Sequence, residues 1–262
     1  MSQVLSALAV SSVASFTGGW VSFPSVALPM MIAESESFNQ TKGEKENLFP
    51  VDIHVGSWIV STFFLGTFFG CYVGGPLSCM LGSRRTVLFL APLSCLTWVI
   101  LAVSHRVWMV YLSRLFSGIL FGVYLATVKV YNAEIAHPDL RGSLGALISN
   151  FSALGNLYTF VLGYFISSWR LIAWLHLLPT IIHGLAVFFA TESPHWLLEK
   201  GKIQEARTSL SKLRGAEYNI ETEFAEMAMK NEAKDPNQRV ISVIFSKGRV
   251  QNKTKQKYGI FH

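Results

Sequence analysis

Residues 55–83 read VGSWIVSTFFLGTFFGCYVGGPLSCMLGS, with no charged side chain before Arg84 and Arg85. A helix needs about 20 apolar residues to cross the hydrocarbon core of a bilayer, and this stretch exceeds that length. Outward from it the pattern repeats in residues 1–33, 86–104, 107–133, 142–169 and 171–191, each nearly free of charge. Hydrocarbon offers no partner to a backbone N–H or C=O, so segments of this length satisfy their hydrogen bonds internally, as helices. The expected fold is all-α: a polytopic bundle of six transmembrane helices in residues 1–191, followed by helices outside the bilayer.

Composition excludes an ordinary soluble domain. Half of the chain, 51%, is hydrophobic and only 15% is charged, and mean hydropathy is +0.38. The first stretch lacks the basic residues that open a secretory signal and is longer than a signal's apolar core, so it is read as a retained span.

The net charge of +6 collects after the last span: residues 1–199 balance nine Lys/Arg against nine Asp/Glu, whereas residues 200–262 hold thirteen against seven. Behind six spans, such a tail is the expected mark of positive-inside topology and not of nucleic-acid binding. If the N-terminus is cytoplasmic, that side receives Arg84, Arg85, Arg141 and the run from Lys200 to Arg214. The other side receives Arg106, Arg170, and Lys42 and Lys45 diluted among five acids. The bias predicts cytoplasmic N- and C-termini. It also places the sequon Asn39-Gln40-Thr41 in a polar outside loop, residues 34–54, where glycosylation of Asn39 would mark passage to the plasma membrane. Cys71, Cys79 and Cys95 are odd in number and lack ligand spacing, so they read as packing residues; no metal or other cofactor is expected.

The remaining connections, residues 82–85, 105–107, 134–141 and 167–170, are short enough to make consecutive helices antiparallel neighbours. Pro194 marks a change of character. In residues 203–213, Ile203, Ala206, Leu210 and Leu213 share one helical face, with Gly215 as a stop signal. Residues 220–230 repeat this with Ile220, Phe224, Met227 and Ala228. Both read as cytosolic helices of a segment spanning residues 192–235. Residues 236–262 lose periodicity and end rich in Lys and Arg, which predicts a disordered tail. Each basic side chain there would gain about 1 kcal/mol near an anionic leaflet of the lipid bilayer.

Three ordered motifs lie in the predicted cytoplasmic loops: Gly75-Pro76-Leu77-Ser78-Cys79-Met80-Leu81-Gly82-Ser83-Arg84-Arg85, then Tyr131-Asn132-Ala133-Glu134-Ile135-Ala136-His137-Pro138-Asp139-Leu140-Arg141-Gly142, then Thr191-Glu192-Ser193-Pro194-His195-Trp196-Leu197. Gly19-Trp20, Ser57-Trp58, Arg114 with Gly118, and Lys212-Leu213-Arg214-Gly215 extend the pattern. Together these resemble the sugar porter family of the major facilitator superfamily, most of all its insect facilitated trehalose and glucose transporters, over residues 10–235. The resemblance implies the N-terminal six-helix half of a twelve-helix fold, a sugar substrate (hexose or trehalose), and facilitated diffusion by alternating access.

In such a transporter, charge pairs at helix ends hold one state closed until substrate shifts the balance. The resemblance implies that Arg84, Arg85, Glu134, Arg141 and Glu192 form this gating cluster; anchoring of helix ends is the competing reading. Cys79 and Met80 stand where the family carries an acid followed by a base, Ser83 where it carries a base, and His195 where it carries Arg, so a weaker inward gate is expected. Ser149 aligns with a sugar-binding glutamine. With Asn150, Asn156 and Tyr158 it could meet a hydroxyl-rich ligand, although bonds between helices compete equally for these four side chains.

Arg114 is an intramembrane charge and a functional candidate by default. It matches an arginine that proton-coupled relatives pair with an acid in span one, but no Asp or Glu precedes Glu34, which favours uniport. Lys129 sits near a span end and snorkels. Glycine pairs Gly66/Gly70, Gly70/Gly74, Gly118/Gly122 and Gly142/Gly145 have spacings that permit close helix approach. His176 and His183, seven apart, read as packing residues on one face of span six.

The family has two six-helix halves with the sugar between them, and the motifs here belong to the first. Three readings follow: a sugar facilitator represented by a truncated chain, a half-transporter that works as a homodimer, or a non-transporting membrane partner that regulates a full-length transporter. An enzyme is not expected, because no nucleophile elbow, metal-spaced cluster or phosphate-binding glycine loop is present.

Overall fold

The computed structural model describes residues 2–41, 51–136, 141–215 and 219–234. All regular structure among them is helical: α1 (Ser2–Ser11), α2 (Val13–Thr41), α3 (Ile53–Leu81), α4 (Ser83–Ala102), α5 (Val107–Ile135), α6 (Arg141–Phe165), α7 (Trp169–Leu175), α8 (Leu177–Phe188), α9 (Pro194–Glu199), α10 (Ile203–Arg214) and α11 (Glu221–Lys234). The chain divides into two compact units, Met1–Ser193 and Pro194–His262.

Among the described residues, five helical stretches are long and apolar enough to cross a membrane: Ile53–Leu81, Ser83–Ala102, Val107–Ile135, Gly142–Phe165 and Trp169–Phe188. The expected first span differs from the reading of the sequence. It is two helices that meet at Ser12, and α2 is diluted by Gly18, Gly19, Pro24, Ser25 and Pro29. Helix α2 also runs to Thr41, well beyond the expected boundary at Ala33, because no glycine or proline between Met30 and Thr41 stops it. The last span is likewise broken, at His176 between α7 and α8.

Two pairings dominate the first unit: α3 lies along α5, and α2 along α6, while α4 packs on α5 and α8. Glycine explains the closeness of the first. An added Cβ would fall 2.3 Å from the Leu115 carbonyl oxygen at Gly66, 2.1 Å from that of Ile119 at Gly70, 2.1 Å from that of Phe63 at Gly118 and 2.4 Å from that of Thr67 at Gly122. Backbone therefore lies on backbone along this seam, which a side chain at any of the four positions would force apart. Gly142 and Gly145, read as a similar pair, meet nothing within 4 Å and are not packing contacts.

Helix α3 starts where the Asp52 carboxylate accepts from Val55 N at 2.7 Å. It ends at Gly82, whose φ of 92° reverses the chain directly into α4. The second unit has its own core, in which Trp196, Leu197 and Leu198 of α9 meet Ala206 and Leu210 of α10 and Phe224 and Met227 of α11. The apolar faces read in the sequence are the buried ones. Pro194 opens α9, where a missing N–H costs nothing, and Gly215 (φ 97°) closes α10 as expected.

Candidate functional site

Three places in the first unit hold the polar groups singled out by the sequence. The innermost surrounds Arg114, which is 1% exposed. Its Nη2 donates to the carbonyl of Trp20 at 2.9 Å, and its guanidinium lies 4.5 Å from the centre of the Phe63 ring. The acceptor has a local cause. Trp20 O would ordinarily receive the N–H four residues on, but that residue is Pro24, which has none. Arginine from α5 takes the vacated acceptor. Nε and Nη1 have no hydrogen-bond partner among the described residues.

Around this charge lies an aromatic cluster that sequence reasoning missed. Trp98 stacks on His176 with ring centres 4.4 Å apart and on Trp20 at 6.3 Å, while Phe23 meets Trp98 edge-on. His176 is fully buried, with Nδ1 2.8 Å from Ile172 O and Nε2 3.0 Å from the Thr159 hydroxyl. Nδ1 therefore carries the proton, since a carbonyl can only accept. Gly19 was the available signal: a Cβ there would lie 2.6 Å from the imidazole. His183 contacts Ser12 at 3.0 Å, beside the break between α1 and α2. Both histidines are buried against neighbouring helices.

The second place is the end of the bundle at Gly82. Glu192 Oε1 accepts from the backbone N of Arg84 at 3.0 Å, placing a carboxylate on the N-terminus of α4. The Arg84 guanidinium points elsewhere, donating to Phe188 O at 2.5 Å and Val187 O at 3.4 Å at the end of α8. Arginine thus satisfies carbonyls that the helix end leaves open. Tyr131 donates to Thr191 O at 2.5 Å and lies within electrostatic reach of Glu192, Arg84 and Glu134. Arg85 is exposed beside them. Arg141 opens α6, with its side chain outside the described residues. Asn132, quoted in the motif but given no role, ties this end together by donating to Ser11 Oγ at 2.8 Å and Leu144 O at 3.2 Å.

The third place is α6, where the four candidate sugar contacts separate. Ser149 and Asn150 are exposed in mid-helix, and Asn156 is half-buried with its Oδ1 unpartnered among the described residues. Tyr158 donates to Leu175 O at 3.0 Å and meets His176 edge-on at 5.3 Å. Nine residues is two and a half helical turns, so Tyr158 lies on the opposite face of α6 from Ser149. Asn39 belongs to the last turn of α2, and its side chain lies outside the described residues.

The profile of the sugar (and other) transporter family matches residues 7–257, past residue 235 where the motif resemblance ends. The chain is 34% identical over 222 residues to a facilitated trehalose transporter of Apis mellifera ligustica, covering 85% of this chain and 42% of that protein. It is 33% identical over 180 residues to the human solute carrier family 2 facilitated glucose transporter member 6, covering 67% and 35%. The chain thus spans less than half the length of these relatives. Among solved structures it resembles the proton:xylose symporter XylE bound to 6-bromo-6-deoxy-D-glucose, with a TM-score of 0.69 at 19% identity over 89% of this chain and 55% of the other. It also resembles the partially occluded inward-open form of XylE from E. coli, with a TM-score of 0.66 at 20% identity over 90% and 61%.

Proposed function

Because the chain belongs to the sugar (and other) transporter family and is a multi-pass membrane protein, we propose that it forms the N-terminal part of a facilitated sugar transporter working by alternating access. The observation that carries this reading is the polar pair Ser149 and Asn150, exposed in the middle of a helix otherwise apolar enough to span a bilayer. Polar groups at that depth require a polar neighbour or a wet cavity. With Asn156, they supply donors and acceptors for a hexose or for trehalose. Arg84 and Glu192, locked to the ends of α8 and α4, form the rigid part of a gate at the cytoplasmic end, to which Arg85, Glu134 and Arg141 contribute charge. Uniport suits the absence of an acid before Glu34.

The proposed setting is the plasma membrane, with both termini cytoplasmic and Asn39 glycosylated outside. A further reading is kept as an outcome of the test. In it, the chain completes its cavity as a homodimer or acts as a non-transporting partner of a full-length transporter. The test is radiolabelled glucose and trehalose uptake into oocytes, with delivery followed by glycosylation at Asn39. Saturable uptake that Ser149→Leu removes, and that a collapsed proton gradient leaves unchanged, supports the transporter reading. No uptake despite delivery leaves the partner reading.

A further inference from the structure

Arg114 is 1% exposed and uses its Nη2 on the Trp20 carbonyl, while Nε and Nη1 have no hydrogen-bond partner among the described residues. A further orphan donor lies in the same layer. Trp98 is as deeply buried, and its Nε1 has no partner among the described residues either. Its ring stacks on the indole of Trp20, and Ser113 Oγ donates to Thr97 O at 2.8 Å. Helices α4 and α5 therefore touch at the residues next in sequence to both donors. The nearby hydroxyls of Ser22, Ser113 and Ser117 turn their hydrogens onto the carbonyls of Gly18, Thr97 and Arg114. Nor does a carboxylate answer the charge. No Asp or Glu stands in residues 53–133 or 140–191. Asp52 lies about 16 Å along α3 from Phe63, and Glu34 about 21 Å along α2 from Trp20.

We propose that Arg114 and Trp98 hold a small monovalent anion, of the class of chloride, inside the helix bundle. Arginine does not shed its proton in a protein, so the charge must be met and not removed. Phe63, 4.5 Å from the guanidinium at its ring centre, attracts it, but a ring quadrupole offsets only part of the cost of desolvating an ion. Water would satisfy the N–H groups and leave the charge unanswered. The orphan groups are all donors, which is the complement of an anion and not of a cation. A single guanidinium matches a single negative charge; a polyvalent oxyanion would exchange a buried cation for a buried net anion. Because Arg114 is closed over, a group from elsewhere in a longer chain would have to part the helices to reach it. An ion of this size needs only a local opening.

The test is equilibrium binding of radioactive chloride to the chain purified in detergent with sodium gluconate as the background salt. The parent binds chloride saturably, a single ion per chain, and bromide displaces it. Arg114→Met removes the charge. Val110→Asp sets a carboxylate at a buried position one turn before the arginine on the same helix face. Each weakens binding at least about tenfold, as loss of a charge-assisted bond implies. The second variant keeps the arginine and supplies its counter-charge, so it decides the matter if Arg114→Met folds poorly. Arg106→Gln, exposed before α5, leaves binding unchanged. Chloride also raises the thermal midpoint of the parent with concentration, and not that of Val110→Asp. Absence of saturable binding by the parent overturns the proposal. So does binding that survives both Arg114→Met and Val110→Asp, or that is lost with Arg106→Gln, since the ion would then belong to surface charge. Chloride binding is read without sugar or transport, so its failure and that of the uptake test are separate results.

Discussion

Glu192 occupies a position that makes Gly82 irreplaceable. A Cβ on Gly82 would lie 2.9 Å from Glu192 Oε2, and the residue adopts φ 92°, which costs an L side chain about 1–2 kcal/mol. Glu192→Ala removes the cap on α4 and should cost about 1 kcal/mol. Gly82→Ala should cost more, because strain and collision add. The double substitution should cost less than the sum, since removing the carboxylate relieves the collision. Thermal unfolding of the four proteins in detergent measures this; strict additivity would mean that Glu192 does not press on Gly82. A second residue-level expectation concerns Arg114. Among the described residues it has no counter-charge, so its charge adds little to stability, but its guanidinium is the donor to the buried Trp20 carbonyl, and losing that bond should cost about 1–3 kcal/mol. Arg114→Met should therefore melt below the parent, because the Trp20 carbonyl is left buried without a donor.

At the level of elements, the seam between α3 and α5 sets the shape of the bundle. Gly118→Ala places a methyl group 2.1 Å from Phe63 O, where only backbone can yield, and overpacking of this kind costs about 1–3 kcal/mol. Gly145→Ala, on open surface, should instead be neutral or gain up to about 1 kcal/mol in helix propensity. Thermal midpoints that fall for the first and not for the second would bear this out; equal responses would place the tight seam elsewhere. The sequence announced that glycines lay at packing intervals, but spacing alone could not say that Gly66 and Gly70 meet α5 while Gly142 and Gly145 meet nothing. Apolar length is a local property, so the spans from Ile53 onward were legible. The break at His176 had a local signal in Pro179, which has no N–H for the Leu175 carbonyl; that Tyr158 takes this acceptor was not legible. Arg114 stood out as an intramembrane charge, yet its partner is a carbonyl freed by Pro24, and only the fold brings α5 to that point. For Tyr158 the angular separation from Ser149 was already in the sequence; its commitment to Leu175 O was not.

Across the whole molecule, the chain divides into two units, each with its own core. The first is built of long helices joined through glycine seams and an aromatic interior, the second of short helices closed around Phe224, which is fully buried. Short helices such as α9 and α10 are marginal in isolation and persist only through the face they bury. Ion pairs reinforce the second unit: Arg214 holds Glu223, with Nε 2.9 Å from Oε2, and Arg207 reaches Glu221 at 2.7 Å. The exposed Arg207 pair adds less than about 1 kcal/mol, whereas the buried phenyl ring is worth several times that. Phe224→Ala should cost about 3–5 kcal/mol, enough to open a unit of this size. Amide exchange should then rise throughout α9, α10 and α11 while α3 and α5 keep their protection, since no residue of their seam depends on Phe224. Exchange that rises in both units together would mean that the chain folds as one cooperative body, and that the separate cores do not correspond to separate stabilities.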